Sequence, residues 1–299
     1  MTDWGYRAAA ILARHLPLGM SGRIAESLAD VYVATHPRTA RAVNRRLNRC
    51  AGIADSGYGA ARSLAAAGAP PDARATYRAF AGAVLDFLRE PGSGSHQRVE
   101  LDEEARRILD RARSEGEATL LLSGHFGPWE AALGWLSREV GPLDALAAPH
   151  QSRSVERFFA LRRAKNGVGT LSAGRPAAAA LARLRAGGWI AALADRGCRA
   201  RRRMTGLRGF VPIDRAPLLL ARRARARVLA GVSWRGEDGA LHVRFLEPFS
   251  LAPTRDGLSL QQAAMRLQQF FDDHVRAHPA QWYEWTAPAL PEGHGEAGG

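Results

Sequence analysis

Leu120-Leu121-Leu122-Ser123-Gly124-His125-Phe126-Gly127-Pro128-Trp129-Glu130 is the stretch from which the rest of the chain can be read. Its apolar run predicts a buried strand, Ala118 to Ser123. Two glycines then flank a bend that presents His125, and a helix follows from Trp129 to Glu139. Proline suits the start of that helix, where its missing N–H costs nothing. Glu130 falls in the first turn, where the helix dipole favours a carboxylate. A strand that runs directly into a helix is the building unit of an α/β fold.

The same alternation extends in both directions. Toward the C-terminus the pattern predicts strands at Leu143 to Ala147 and Trp189 to Ala194. Helices are predicted at Ser154 to Lys165, Arg175 to Ala186, Pro217 to Ala226 and Leu258 to Val275. Val228 to Trp234 and Leu241 to Phe245 read as two strands of an antiparallel hairpin turning at Gly236 to Gly239. Short apolar strands between helices imply a central, mostly parallel sheet with helices on both faces. Toward the N-terminus a helix is expected over Leu101 to Ser114, preceded by a Pro-Gly-Ser-Gly-Ser linker at Pro91 to Ser95. Before it, Trp4 to Leu16, Ile24 to Ala34, Thr39 to Asn48 and Asp72 to Arg89 read as helices. The expected organisation is a helical N-terminal layer over 1–95, an α/β domain over 96–287 and a flexible tail over 288–299.

Composition narrows the function classes. At 299 residues and 46% hydrophobic, the chain can bury a large core. Lys+Arg number 42 against 29 Asp+Glu, a net +13 that favours polyanionic partners: nucleic acid, an anionic membrane face or an acidic carrier protein. Dispersed arginines without a zinc-finger or RNA-binding signature argue against nucleic acid. Cys50 and Cys198 form neither a CxxC pair nor a zinc spacing, which fits a reducing compartment. No signal peptide and no run of 18 apolar residues are seen, so a soluble or peripheral protein is expected. A serine hydrolase of lipid esters lacks support, because Gly231-Val232-Ser233-Trp234-Arg235 is missing the final glycine of a nucleophile elbow.

The chemistry is carried by His125. A carboxylate bonded to one imidazole nitrogen fixes the tautomer and leaves the other nitrogen as a base. Glu130, across the strand-to-helix bend, is the expected carboxylate. Such a pair can take the proton of an alcohol as it attacks a thioester. The plainer alternative is a structural histidine beside a glutamate that merely favours the helix start.

Gly124-His125-Phe126-Gly127-x-Trp129-Glu130 resembles the H-x4-D/E block of glycerolipid acyltransferases. It is most similar to the branch holding the late (lauroyl/myristoyl) acyltransferases of lipid A synthesis and the acyltransferases of phosphatidylinositol mannosides. Thr39 to Asn48 loosely resembles that family's basic N-terminal stretch. Leu193-Ala194-Asp195-Arg196 resembles its D-[QR] block, and His278-Pro279-Ala280-Gln281-Trp282 its closing H-P-x-Q-W signature. The resemblance implies a glycerolipid acyltransferase-like α/β sandwich that transfers acyl chains directly from acyl-carrier protein or acyl-CoA, with no other cofactor and no metal. It implies a glycolipid or lipid-precursor acceptor at an anionic membrane surface, on the cytoplasmic side of the inner membrane. His125 and Glu130 would be catalytic, and Gly127, Trp129, Arg163, Asp195 and Arg196 would contact substrate. Departures occur at Pro128, where the family often has Asn, and in Met204-Thr205-Gly206 and Pro212-Ile213-Asp214-Arg215-Ala216. They leave the acceptor open and raise the alternative of a non-catalytic member.

Several other residues carry two readings. Arg163 either engages substrate or lies on a solvated helix face, and Asp195 either serves the site or caps a turn. Arg199, Arg201, Arg202 and Arg203, with Arg222, Arg223, Arg225 and Arg227 extending them, form either solvated surface or a membrane-facing patch. His274 and His278 have helical metal-ligand spacing but no further ligand motif, so a structural role is expected. Trp282 and Trp285 are expected as core anchors.

Overall fold

The computed structural model describes residues 9–11, 13–55, 72–89, 98–148, 152–195, 203–254, 256–283 and 285. The expected linker at Pro91 to Ser95 and the tail over 288–299 lie outside these, as does Arg196. After helical residues at 9–11 and 13–15 come α1 (Leu18–Thr35), α2 (Pro37–Asp55) and α3 (Ala73–Leu88), the last capped by the Asp72 carboxylate on the Ala75 amide. The α/β part follows in the order β1 (Val99–Leu101), α4 (Glu103–Glu115), β2 (Thr119–Ser123), α5 (Trp129–Val140), β3 (Leu143–Leu146) and α6 (Arg153–Lys165). It continues with β4 (Val168–Leu171), α7 (Pro176–Arg185), β5 (Trp189–Leu193), α8 (Arg215–Ala224), β6 (Arg227–Arg235), β7 (Leu241–Phe245) and α9 (Leu260–Ala277).

The seven strands form one sheet in the order β1-β7-β6-β2-β5-β3-β4. β2 to β6 are mutually parallel, β7 is antiparallel to β6 as the hairpin reading expects, and β1 runs parallel to β7. Side chains alternate between the two faces, as the pleat requires. Leu120, Leu122, Ile190, Ala192, Val228 and Ala230 join α7, α8 and α9 in one core. Leu121, Ala191, Leu229 and Val243 pack with α4 and α5 in the other. The predicted α/β class with an N-terminal helical layer is what the structure has.

Two strands were not expected. β4 is the four-residue Val-Gly-Thr-Leu at one edge, and β1 is three residues long at the other. Neither has enough apolar alternation to stand out. Leu101 therefore belongs to a strand, and the helix after it begins at Glu103, capped by Asp102 on the Ala105 amide. α9 likewise starts later than expected, behind a capping box formed by Ser259 and Gln262.

Candidate active site

The site is assembled at the carboxyl ends of β2 and β5. These strands are neighbours in parallel register, with Ser123 opposite Leu193. His125 and Asp195 each lie two residues beyond that pair. Adjacent strands are about 4.8 Å apart, so the register alone brings the two residues together. The Ala194 amide extends the ladder by donating to the Ser123 carbonyl at 2.8 Å.

His125 donates twice to Asp195: Nδ1 to Oδ1 at 2.9 Å and its backbone N–H to Oδ2 at 2.9 Å. The Trp282 indole N–H adds a third bond, to Oδ2 at 3.0 Å. Asp195 is 0% exposed and His125 8%. Burial by itself would raise the Asp195 carboxyl. The facing imidazole, the His125 amide and the Trp282 indole outweigh it and hold the carboxyl below its ordinary value. Since a carboxylate only accepts, the imidazole proton sits on Nδ1 and the lone pair on Nε2.

This corrects the sequence reading in one respect. The carboxylate on the imidazole is that of Asp195, 70 residues and three strands further along the chain, and Glu130 faces elsewhere. Its oxygens take a forked pair of bonds from Arg163, Nε at 2.9 Å and Nη2 at 2.5 Å. Both side chains are largely buried, so Arg163 is not on a solvated helix face. Its third nitrogen, Nη1, is buried without a hydrogen-bond partner among the described residues.

The bend that carries His125 is fixed from below. Gly127 has φ +51, and a β-carbon there would stand 2.7 Å from the Trp234 α-carbon, so only glycine fits. At Gly124 a β-carbon would meet the Asp195 carboxyl at 2.9 Å. The closing segment Pro279–Gln281, a single 3₁₀ turn, leads into a strap alongside the bend. The Gly127 amide donates to the Gln281 carbonyl at 2.7 Å, and the Tyr283 amide to the His125 carbonyl at 2.8 Å. The Gln281 side chain clamps the end of β6 with two bonds to the Arg235 backbone, 2.8 and 2.9 Å. Trp282 is thus an anchor as expected, and also a hydrogen-bond donor to the site, a role the sequence reading missed. Its spacing from an H-P-x-Q turn was the available signal. The ring of Trp129 closes one side of the imidazole, edge to face at 5.3 Å.

The backbone amides of the bend are engaged within the fold: those of His125, Phe126, Gly127 and Trp129 donate to Asp195, Gly124, Gln281 and Gly127 respectively, and Pro128 has none.

Of the basic residues read as a membrane-facing patch, Arg199, Arg201 and Arg202 lie outside the described residues. Arg222 and Arg223 are exposed on α8, whereas Arg227 is paired with Glu115 and Glu117. Among the described residues no group of three His, Cys, Asp or Glu side chains could hold a metal, and no helix is long and apolar enough to cross a membrane.

No individually curated protein matches the chain. The family profile described as bacterial lipid A biosynthesis acyltransferase matches residues 92–286. That span contains the whole sheet, the histidine bend, Asp195 and the closing strap, and the chain belongs to this acyltransferase family.

Proposed function

We propose that this chain is an O-acyltransferase that moves a fatty acyl group from acyl-carrier protein or acyl-CoA to a hydroxyl of a glycolipid or lipid precursor at a membrane surface. His125 is the general base and Asp195 orients it. The observation that carries this reading is the Asp195–Nδ1 bond, which leaves the Nε2 lone pair of a nearly buried imidazole for the acceptor.

The acceptor O–H gives its proton to Nε2 while its oxygen attacks the thioester carbonyl carbon. The carbonyl oxygen becomes an oxyanion in the tetrahedral intermediate. As that intermediate collapses the C–S bond breaks, and the imidazolium returns the proton to the departing thiolate. The products are an ester and a free thiol, with no acyl-enzyme. The ionised Asp195 stabilises the imidazolium that exists between the two transfers. Arg163, held by Glu130, has an Nη1 with no hydrogen-bond partner among the described residues and is the charged donor suited to the oxyanion or to an acceptor phosphate. Glu130 is then a positioning residue for Arg163.

Lipid mass spectrometry tests this directly. A deletion strain and the same strain carrying His125→Ala should both lack one acyl chain on the same lipid, and wild-type complementation should restore it. Restoration by a folded His125→Ala protein would end the proposal.

A further inference from the structure

The large apolar side chains that remain exposed are concentrated in the N-terminal layer. On α1 they are Met20, Ile24, Leu28 and Val31, with Leu28 66% and Val31 60% exposed, besides Tyr32, which stacks on His36. At 3.6 residues per turn these four fall within an arc of about 80°, opposite the buried Ala29. The acidic residues of α1 lie off this stripe, and Asp30 is tied back to Arg78 on α3.

The next helix carries the complementary feature. Arg38, Arg41, Arg45 and Arg49 are all exposed on α2 and also share an arc of about 80°. They lie opposite the residues that α2 buries, Val43, Leu47 and Cys50. Among the described residues none of the four has an acidic partner. His36 alone separates the two helices, so the apolar stripe and the four-arginine stripe lie on exposed sides of consecutive helices.

We propose that the exposed stripes of α1 and α2 are the surface by which this protein docks on an anionic phospholipid bilayer. The α1 stripe would enter the acyl boundary, and the α2 arginines would meet phosphate headgroups. The charge pattern favours this occupant. A second copy of the chain would bring its own four arginines to the same face. An acidic protein would satisfy the arginines but leave Leu28 and Val31 in water. α1 is about 27 Å long at 1.5 Å per residue, and it cannot span because no helix among the described residues is apolar enough. It can lie in the interface plane. This docking rests on the proposed lipid-directed transfer for its purpose, and it moves the membrane face away from the arginines near residues 199–227.

Flotation of the full chain with phosphatidylglycerol/phosphatidylethanolamine vesicles, against phosphatidylcholine vesicles, tests the assignment. Wild type should float with the anionic vesicles, and less so as salt rises. Leu28→Asp/Val31→Asp should lower vesicle affinity about tenfold or more in both lipids, because it removes the inserted surface. Arg38→Gln/Arg41→Gln/Arg45→Gln/Arg49→Gln should lower it about tenfold or more on anionic vesicles and leave the phosphatidylcholine value unchanged. All these positions are solvent-exposed, and circular dichroism confirms that each variant is folded. Wild-type flotation by both variants overturns the proposal. So does a wild-type dimer that the Leu28/Val31 variant dissociates in light scattering, or an arginine variant that loses carrier-protein binding while floating normally. His125→Ala should float like wild type. A wild-type protein that transfers acyl chains to a detergent-dispersed acceptor yet never floats refutes the docking alone, and one that floats without transfer refutes the enzymatic reading alone.

Discussion

His125 and His274 are both buried, one next to Phe126 along the chain and the other in ring contact with it, yet their surroundings differ in every respect that matters for chemistry. His125 has the ionised Asp195 on Nδ1. His274 sits 5.1 Å from Phe126 in a stack with Trp234 and His278, its Nε2 without a hydrogen-bond partner among the described residues. Burial, then the neighbouring His278 and Arg244, push the His274 imidazole well below its ordinary value. One histidine is prepared to receive a proton and the other to refuse one. Residue type and burial are shared; the carboxylate makes the difference.

The contrast breaks if the two rings prove interchangeable. His125→Ala should lower turnover about 10²–10⁴-fold, the usual worth of a positioned base. His274→Leu should leave turnover within about threefold, since it removes a buried Nε2 that has no hydrogen-bond partner among the described residues. Steady-state rates for the two purified variants decide the matter. Equal losses would mean that the carboxylate does not distinguish them.

Asp195→Asn sharpens the same contrast without altering shape. Two donors, the His125 amide and the Trp282 indole, converge on Oδ2, and only one on Oδ1. The asparagine carbonyl must take the two-donor side, which turns its NH2 toward Nδ1. That nitrogen becomes the acceptor and the ring proton moves to Nε2, so no lone pair faces the acceptor. Turnover should fall about 10²-fold or more with the fold retained. Glu130→Gln separates the two carboxylates. It weakens the hold on Arg163 at a cost of about 1–3 kcal/mol in thermal or denaturant stability. The shape of the pH–rate profile should stay as in wild type, because Glu130 does not touch the imidazole. A reshaped profile in Glu130→Gln would return the orienting role to Glu130.

This last point marks where sequence stopped being sufficient. The strand, the glycine bend and the helix after it follow from local pattern, and both His125 and Asp195 are recognisable as residues beyond strand ends. Their pairing depends on β5 being the neighbour of β2, and strand order is set by how the crossover helices pack, which leaves no trace in a local window. Glu130 was the nearest carboxylate along the chain and so the natural choice. The first turn of α5 aims it at Arg163 on α6 instead. Trp282 is 157 residues from His125 by number, and only the antiparallel pairing of the closing strap with the bend makes it a partner. The edge strands β1 and β4 were illegible for a simpler reason, being too short to show alternation.

The smallest expected effect concerns stability across mildly acid pH, where the imidazole stack meets a buried carboxyl on the same helix. Burial, then Arg244 and His242, lower His278 from 6.5 to about 4. Between those values the unfolded chain holds the proton and the folded chain does not, so stability rises with pH. Asp272 acts in the opposite sense. Burial raises it from 3.8 to about 7, against the Val211 amide at 2.9 Å and the nearby Arg276. Over that range the folded chain holds the proton, so stability falls as pH rises. His274, likewise lowered, adds to the rising contribution, so between pH 4 and 6.5 Asp272 offsets only part of it and the wild-type melting temperature should rise with pH. Asp272→Asn removes the falling contribution and should steepen that rise by about 3–6 °C across the interval. His278→Phe, which preserves the stack on Trp234, should make it shallower. A calorimetric series in which Asp272→Asn keeps the wild-type profile would show that the carboxyl stays ionised inside the fold, and that the imidazole stack is not opposed by its own helix.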